Sequence, residues 1–399
     1  MRMSLLDRAF YLLDSASSPQ DFTIILDLRD VPDLDRFETG ARSALNRFPL
    51  SACSVASREW VWPENRDLKI ETSQGEGQSR IERFIDERFD LRRQPSIKQM
   101  LVLSGSSARL VTRFHHAAAD GLSAALWLGH QLNVAYEFET AQRECGRFDG
   151  PMLRGATSSV RRSRFAFEEA SDPLRSSGLK RSGSRRWATI CFDACELQRA
   201  CRRTGGFTYH DLLAACALEV ITEWNNKKSK IGLWVPMNVR REARVGFGNG
   251  TSRIRVYANY DRKLSLTEKC RTVREQVAWT TKHGEWVVPE IPSLMRLPDS
   301  IAAPLLRGYL KLPQIDMATA VFTHVGSLLA NAEGFKHVER IECVGLLHTR
   351  QRLAINAATH LGYTYLTLTY DPALLTAADV ERLAQLFSEQ IHVARRELS

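Results

Sequence analysis

Phe114-His115-His116-Ala117-Ala118-Ala119-Asp120-Gly121 is the stretch on which the reading of this chain turns. Upstream, Leu101-Val102-Leu103 and Leu110-Val111-Thr112 flank Ser104-Gly105-Ser106-Ser107, which predicts two short strands meeting across a turn. Downstream, Leu122, Ala125, Leu126, Gly129 and Leu132 recur at helical spacing, which predicts a helix from Leu122 to Tyr136. The two histidines therefore stand where a strand passes into a helix. Such a hinge holds a side chain rigidly and still lets it reach a substrate.

Histidine titrates near neutrality and takes a proton from a hydroxyl or amine as that group attacks a carbonyl. General-base catalysis fits this position and needs only one of the two rings. Asp120, four residues beyond His116, is read as structural: a carboxylate buried here needs a cation, and one left at the helix start caps it. Gly121 permits a tight backbone path. A plainer reading stands beside this one, with both histidines packed in the core and Asp120 serving only as a cap.

Two histidines, three small residues and Asp-Gly together resemble the HHxxxDG signature of the CoA-dependent acyltransferase superfamily. That superfamily includes nonribosomal peptide condensation domains, wax ester synthases, polyketide-associated acyltransferases, plant acyltransferases and chloramphenicol acetyltransferase. The resemblance implies that His116 is the catalytic base, that His115 supports it, and that Asp120 belongs to a structural ion pair.

Other phrases extend the resemblance over nearly the whole chain. Phe89-Asp90-Leu91 with Pro95 is similar to the family's lead-in to the histidines, and Thr208 with Asp211 caps a long helix through Trp224 in the manner of its second lobe. His210, in the first turn of that helix, is a surface or packing residue. The run Ile231 to Arg241 resembles the strand whose buried arginine pairs with the motif aspartate, which maps onto Arg240; alternatively Arg240 and Arg241 are both solvated. Gly246-Phe247-Gly248-Asn249-Gly250 is neither GxGxxG nor a P-loop. It resembles the Gly-Asn turn near the family's acyl-donor channel, which makes Asn249 a channel candidate. His324, in the strand Thr319 to Gly326, stands where that family often has Asn and either contacts substrate or packs. A hairpin of Leu353 to His360 and Tyr363 to Tyr370, the turn Asp371-Pro372 and a helix from Thr376 to Ala394 end the chain as condensation-like chains end.

The fold implied is mixed α/β, with two chloramphenicol-acetyltransferase-like lobes forming a pseudo-dimer around an interlobe tunnel. The lobes are expected at 1–153 and 187–399. Between them, residues 154–186 carry nine Arg or Lys against three acids and many serines, and read as a solvated linker or, alternatively, a phosphate- or carrier-contacting segment.

The 399 residues, 44% hydrophobic and 25% charged, suffice for a sizeable core and argue against wholesale disorder. The +9 charge favours an anionic partner: nucleic acid, a lipid surface, the phosphates of coenzyme A or an acidic carrier. No zinc finger, ribonucleoprotein motif or basic helix with interleaved aromatics is present, so no nucleic-acid partner is expected. The eight cysteines are scattered without zinc spacing; no metal is expected, and reduced thiols in a cytoplasm follow. No uncharged apolar run reaches the length of a membrane span, and Met1 to Leu13 reads as an amphipathic helix within the fold. Pro289 to Pro313 places Leu294, Met295, Leu297, Ile301, Leu305, Leu306, Tyr309 and Leu310 where a helix buries them: in ordinary core, along an acyl tunnel, or on a membrane surface.

The expected activity is transfer of an acyl group from a thioester to an alcohol or amine. Acyl-CoA or a phosphopantetheinyl carrier protein acting in trans serves as co-substrate, and no cofactor is bound. With no Ser or Cys in a GxSxG elbow, direct transfer needs no acyl-enzyme. The alternative is a condensation-like module without turnover that recruits a partner protein.

Overall fold

A computed structural model of the chain describes residues 1–62, 68–75, 77–139, 171–178, 180–226, 230–238, 247–258, 264–283, 297–311, 318–327, 332–348 and 350–398. Strand β6 (Ser107–His115) is covered on both faces from Leu110 onward, which is why its sequence runs apolar there. It pairs antiparallel with β1 (Asp21–Leu28) and β5 (Ile97–Ser104). β4 (Ile70–Gln74) joins β5 in parallel and β11 (Val338–Val344) covers β1, giving the order β11-β1-β6-β5-β4.

Helices α2 (Leu34–Arg47) and α4 (Gly121–Ala135) cover one face of this sheet, packing Phe37, Leu45, Trp127 and Leu128 against Leu26, Leu110 and Phe114. On the other face α3 (Gln78–Asp86) lays Ile81, Phe84 and Ile85 over Ile25, Met100 and Val111. Each such large side chain withdrawn from water stabilises the fold by about 1.5–3 kcal/mol. Gly40 lets α2 and α4 approach this closely, because a Cβ there would lie 2.5 Å from the Gln131 carbonyl oxygen.

The second sheet has the order β7-β13-β12-β10-β8-β9. Its strands are β7 (Arg186–Asp193), β8 (Gly232–Asn238), β9 (Thr251–Tyr257), β10 (Ala320–His324), β12 (Leu353–His360) and β13 (Tyr363–Tyr370). Helix α6 (Tyr209–Trp224) is apolar almost all round and shares one core with this sheet and with α5 (Cys195–Thr204), α7 (Leu266–His283) and α9 (Ala377–Leu398). Its expected start is present, with the Thr208 hydroxyl accepting from the Asp211 N–H and the Asp211 carboxylate accepting from the Thr208 N–H. A hairpin of β2 (Ser54–Ala56) and β3 (Glu59–Val61) stands apart from both sheets.

Three expectations change. The division at 1–153 and 187–399 is not respected by the sheets, because β11 pairs with β1 and Ala358 and Tyr365 pack into the N-terminal lobe's core. Without β11, β1 would present an unpaired edge. Second, the end of the 154–186 segment is not a solvated linker, although residues 154–170 lie outside the described residues. Arg185 is 1% exposed and donates to the Asp21 carboxylate at 2.8 Å and to the Asp21 carbonyl oxygen at 2.6 Å. Arg113 donates to the same carboxylate at 3.0 Å. Two guanidinium groups hold the Asp21 carboxyl below its ordinary range against the opposing effect of burial, so this buried charge is compensated from both sides. Third, α8 (Asp299–Tyr309) buries Ala302 and Leu306 against Leu12 of α1 (Leu5–Leu13), but leaves Ile301, Leu305 and Tyr309 exposed on one face. Leu294 and Met295 lie outside the described residues. No helix among the described residues is long and apolar enough to cross a membrane.

Candidate active site

β6 ends at His115, opposite Asp21 of β1, and the His116 N–H continues the pairing by donating to the Gln20 carbonyl at 2.8 Å. Successive side chains of a strand point to opposite faces, so the two imidazoles part company here. His115 is 1% exposed, edge-on to Phe89, and its Nδ1 accepts the Ala117 N–H at 3.1 Å. That bond leaves the proton on Nε2, a buried atom with no hydrogen-bond partner that lies 3.9 Å from Asp14 Oδ1. Burial pushes His115 down to about 3 and Asp14 up to about 6, so each is driven towards its neutral form. His115 packs beside His116, buried against Phe89.

His116 is partly buried. Phe10 of α1 stacks on its ring at 4.3 Å with 4° between the planes, and Phe22 of β1 meets it edge-on at 5.3 Å. From the other lobe, Asn249 Nδ2 donates to the His116 carbonyl oxygen at 2.7 Å and lies 3.1 Å from Nδ1. The amide's orientation is fixed because its Oδ1 accepts the Thr251 N–H at 3.2 Å. Asn249 is 2% exposed, so the channel-lining role expected of it gives way to holding His116. Burial lowers the His116 pKa, and the ring is a neutral imidazole at physiological pH.

Nδ1 has two competing roles, as donor and as acceptor. A proton there bonds the residue's own carbonyl and leaves Nε2 with a bare lone pair, the form a base requires. A bare Nδ1 instead accepts from Asn249 and puts the proton on Nε2.

Asp120 is the N-cap of α4, its Oδ1 accepting the Ser123 N–H at 3.0 Å. Its Oδ2 reaches into the other lobe, accepting the Gly250 N–H at 2.8 Å and the Thr251 hydroxyl at 3.1 Å. Cap and lobe fastener are thus the same carboxylate. Arg240, the expected ion-pair partner, lies outside the described residues. A Cβ at Gly121 would stand 3.3 Å from Val325 Cγ1, just beyond β10, a tight contact with a side-chain atom.

His324 does not join this group. It alternates with Ala320 and Phe322 on the α6 face of the second sheet, stacks on His210 at 5.8 Å, and bonds Thr359 through Nε2 at 3.2 Å. Thr359 continues to Thr364 and on to the Tyr209 hydroxyl, a chain of polar groups closed on itself. Burial holds His324 near 3 and lowers His210 as well. Neither Phe10 nor Thr251 carries a local signal that marks it as a neighbour of the histidine; the capping box of Ser4 and Asp7 marks where α1 starts but not where it docks.

No family model matches the chain. Two uncharacterized proteins of Mycobacterium tuberculosis, from strains CDC 1551 / Oshkosh and H37Rv, are each 28% identical to it over 244 residues. The match covers 53% of this chain and 55% of theirs, so the chain spans about half the length of the curated relatives it matches. Solved structures are similar over the whole length. The first condensation domain of the calcium-dependent antibiotic synthetase, in complex with a substrate analogue, is 14% identical with a TM-score of 0.76, covering 100% of this chain and 98% of that one. The condensation domain of the monacolin K polyketide synthase is 13% identical with a TM-score of 0.70, covering 100% and 97%. The starter condensation domain of rhizomide synthetase, in complex with C8-CoA, is 14% identical with a TM-score of 0.69, covering 98% and 94%. Two lobes that meet over His116, with these structures matched from end to end, establish that the chain has the condensation-domain fold.

Proposed function

We propose that this chain is an acyltransferase in which His116 assists attack of an alcohol or amine on an acyl thioester. The observation that carries the reading is that a partly buried imidazole, stacked under Phe10, is gripped by Asn249 from the opposite lobe. A ring held by both lobes is well placed for two substrates entering between them, the donor as acyl-CoA or on a phosphopantetheinyl carrier protein, through an interlobe tunnel. With Nδ1 protonated, Nε2 removes the acceptor's proton as its oxygen or nitrogen bonds to the carbonyl carbon. The tetrahedral intermediate then collapses, the carbon–sulfur bond breaks, and the thiolate leaves with a proton from the imidazolium. Base catalysis of this kind supplies about 10²–10⁴-fold, with placement of the two substrates supplying more.

If Asn249 keeps the proton on Nε2, His116 acts as a hydrogen-bond donor to the developing oxyanion. The exposed apolar face of α8 also supports contact with a lipid surface, by Ile301, Leu305 and Tyr309.

The test is mass spectrometry of incubations that cross a panel of acyl-CoAs and acyl carrier proteins with alcohol and amine acceptors. A product that the wild type makes and His116→Ala does not is expected. No product from any pairing turns the reading to a module that recruits a partner protein.

A further inference from the structure

α1 brings one aromatic ring to His116, and other residues of the helix fix where that ring lies. Asp7, Phe10 and Asp14, the last of them the C-cap, follow one another at helical spacing along one face. Asp7 accepts from the Trp60 indole N–H at 3.3 Å, and Asp14 accepts from the Gln20 N–H at 2.9 Å. Between them Arg8 donates to Asp299 Oδ1 and to the Leu297 carbonyl oxygen, each at 2.8 Å, and Leu12 packs with Ala302 and Leu306. The helix is thus pinned on both sides of Phe10 by contacts that do not involve its ring.

The phenyl lies nearly parallel to the imidazole, with 4° between the planes and 4.3 Å between centroids. The face of a phenyl ring carries the negative part of its quadrupole, which attracts a cation within about 6 Å of the centroid. His116 is neutral at rest and becomes a cation when Nε2 takes a proton, so the stacked phenyl favours the second state over the first. Among the ionisable groups around the ring, Asp120 of α4 favours the cation, and burial opposes it. His115 of β6 and His348, which follows β11, are held neutral by burial and add no charge. Asp7 and Arg8 of α1 are engaged with Trp60 and Asp299, and Asp21 of β1 with Arg113 and Arg185. Asn249 and Thr251, from the other lobe, are uncharged.

We infer that Phe10 is a positioning residue for the reaction: its ring face steadies the His116 imidazolium that forms as the acceptor's proton is taken, and so strengthens the base. This rests on the acyl-transfer reading of His116 and adds to it how a ring enclosed by apolar neighbours stays basic enough to act.

Two measurements test it, one of them without turnover. The first follows the His116 ring by NMR across pH, its signal identified by its loss in His116→Asn. Phe10→Leu, which keeps an apolar side chain over the ring, is expected to lower the His116 pKa by about half a unit to one unit. Pentafluorophenylalanine in place of Phe10 keeps the shape, reverses the quadrupole and lowers the pKa further. Phe10→Tyr, with a similar ring face, stays near the wild-type value. The second measurement reads product formation above the acid limb. There kcat is expected to fall about three- to tenfold in Phe10→Leu and in the pentafluorophenyl protein, with KM changed less than about twofold and Phe10→Tyr close to wild type. A ring that only packs would leave the pentafluorophenyl protein like wild type in both measurements, which overturns the inference. So does a lowered pKa with kcat unchanged. If the wild type forms no product, the acyl-transfer reading falls, and the titration by itself decides whether Phe10 supports the cation.

Discussion

The two lobes each place histidine at the end of a strand beside a helix start, and the environments differ. His116 follows β6 and precedes α4, whose cap, Asp120, is completed by Gly250 and Thr251 of the other lobe. His324 ends β10 near the start of α6, whose cap closes within itself between Thr208 and Asp211. In the first case contacts from the other lobe hold the ring through Asn249. In the second, a chain of three hydroxyls from the same lobe occupies Nε2, and the ring is partly buried as His116 is. The two rings differ in where their supports come from, across an interface or within one lobe, and not in how far they are exposed.

The sharpest way to break that contrast is to remove each ring. His116→Ala is expected to lower kcat/KM about 10²–10⁴-fold, and His324→Ala to change it by less than about threefold, measured by product formation. Equal losses would erase the distinction between the lobes. Next come the two caps. Asp120→Ala removes a cap and two bonds between the lobes and should destabilise by about 2–4 kcal/mol, against about 1 kcal/mol for Thr208→Ala, as read from urea unfolding. A smaller effect is expected of Asn249→Ala, a loss of about tenfold in kcat with KM little changed, since Asn249 touches the histidine from a buried position.

The pH responses sharpen the contrast further. The neutral His116 ring is the base and burial lowers its pKa, so the acid limb of kcat/KM is expected below pH 6.5. For His115 the folded value is about 3 against 6.5 for the free group. Within that window the unfolded chain binds the additional proton, so His115's contribution to stability is complete above pH 6.5 and is lost as pH falls towards 3. Asp14, raised to about 6, acts in the opposite sense, its contribution declining as pH rises from 3.8 to 6. Unfolding of His115→Asn across pH 3–7 should lose the first slope and keep the second. The smallest effect concerns the outer face of α8: Leu305→Asp should weaken co-sedimentation with anionic vesicles only severalfold, because three side chains share that face.

Much of this architecture was legible along the chain. The strand turning into a helix at His115 and His116, the capping box at Thr208 and the terminal hairpin and helix follow from local period and cap chemistry, which neighbours in sequence decide. Composition makes the basic segment 154–186 look solvated, because it reports charge and not the buried carboxylate that Arg185 meets. Asn249 stands in the sequence as a channel candidate and His324 as a residue that either contacts substrate or packs, since both sit in motif-like phrases; the sheet's alternation and the meeting of the lobes send them to different places.

What the sequence determined by itself was which elements form and that one of two adjacent imidazoles suits proton transfer, because φ/ψ preference, apolar periodicity and ionisation are properties of short stretches. Tertiary structure alone decided which ring stays open, what holds it, and which charges are neutralised. Those depend on contacts such as Asn249 with His116 and Arg185 with Asp21, separated by 133 and 164 residues, which only the packing of one lobe against the other brings within bonding distance.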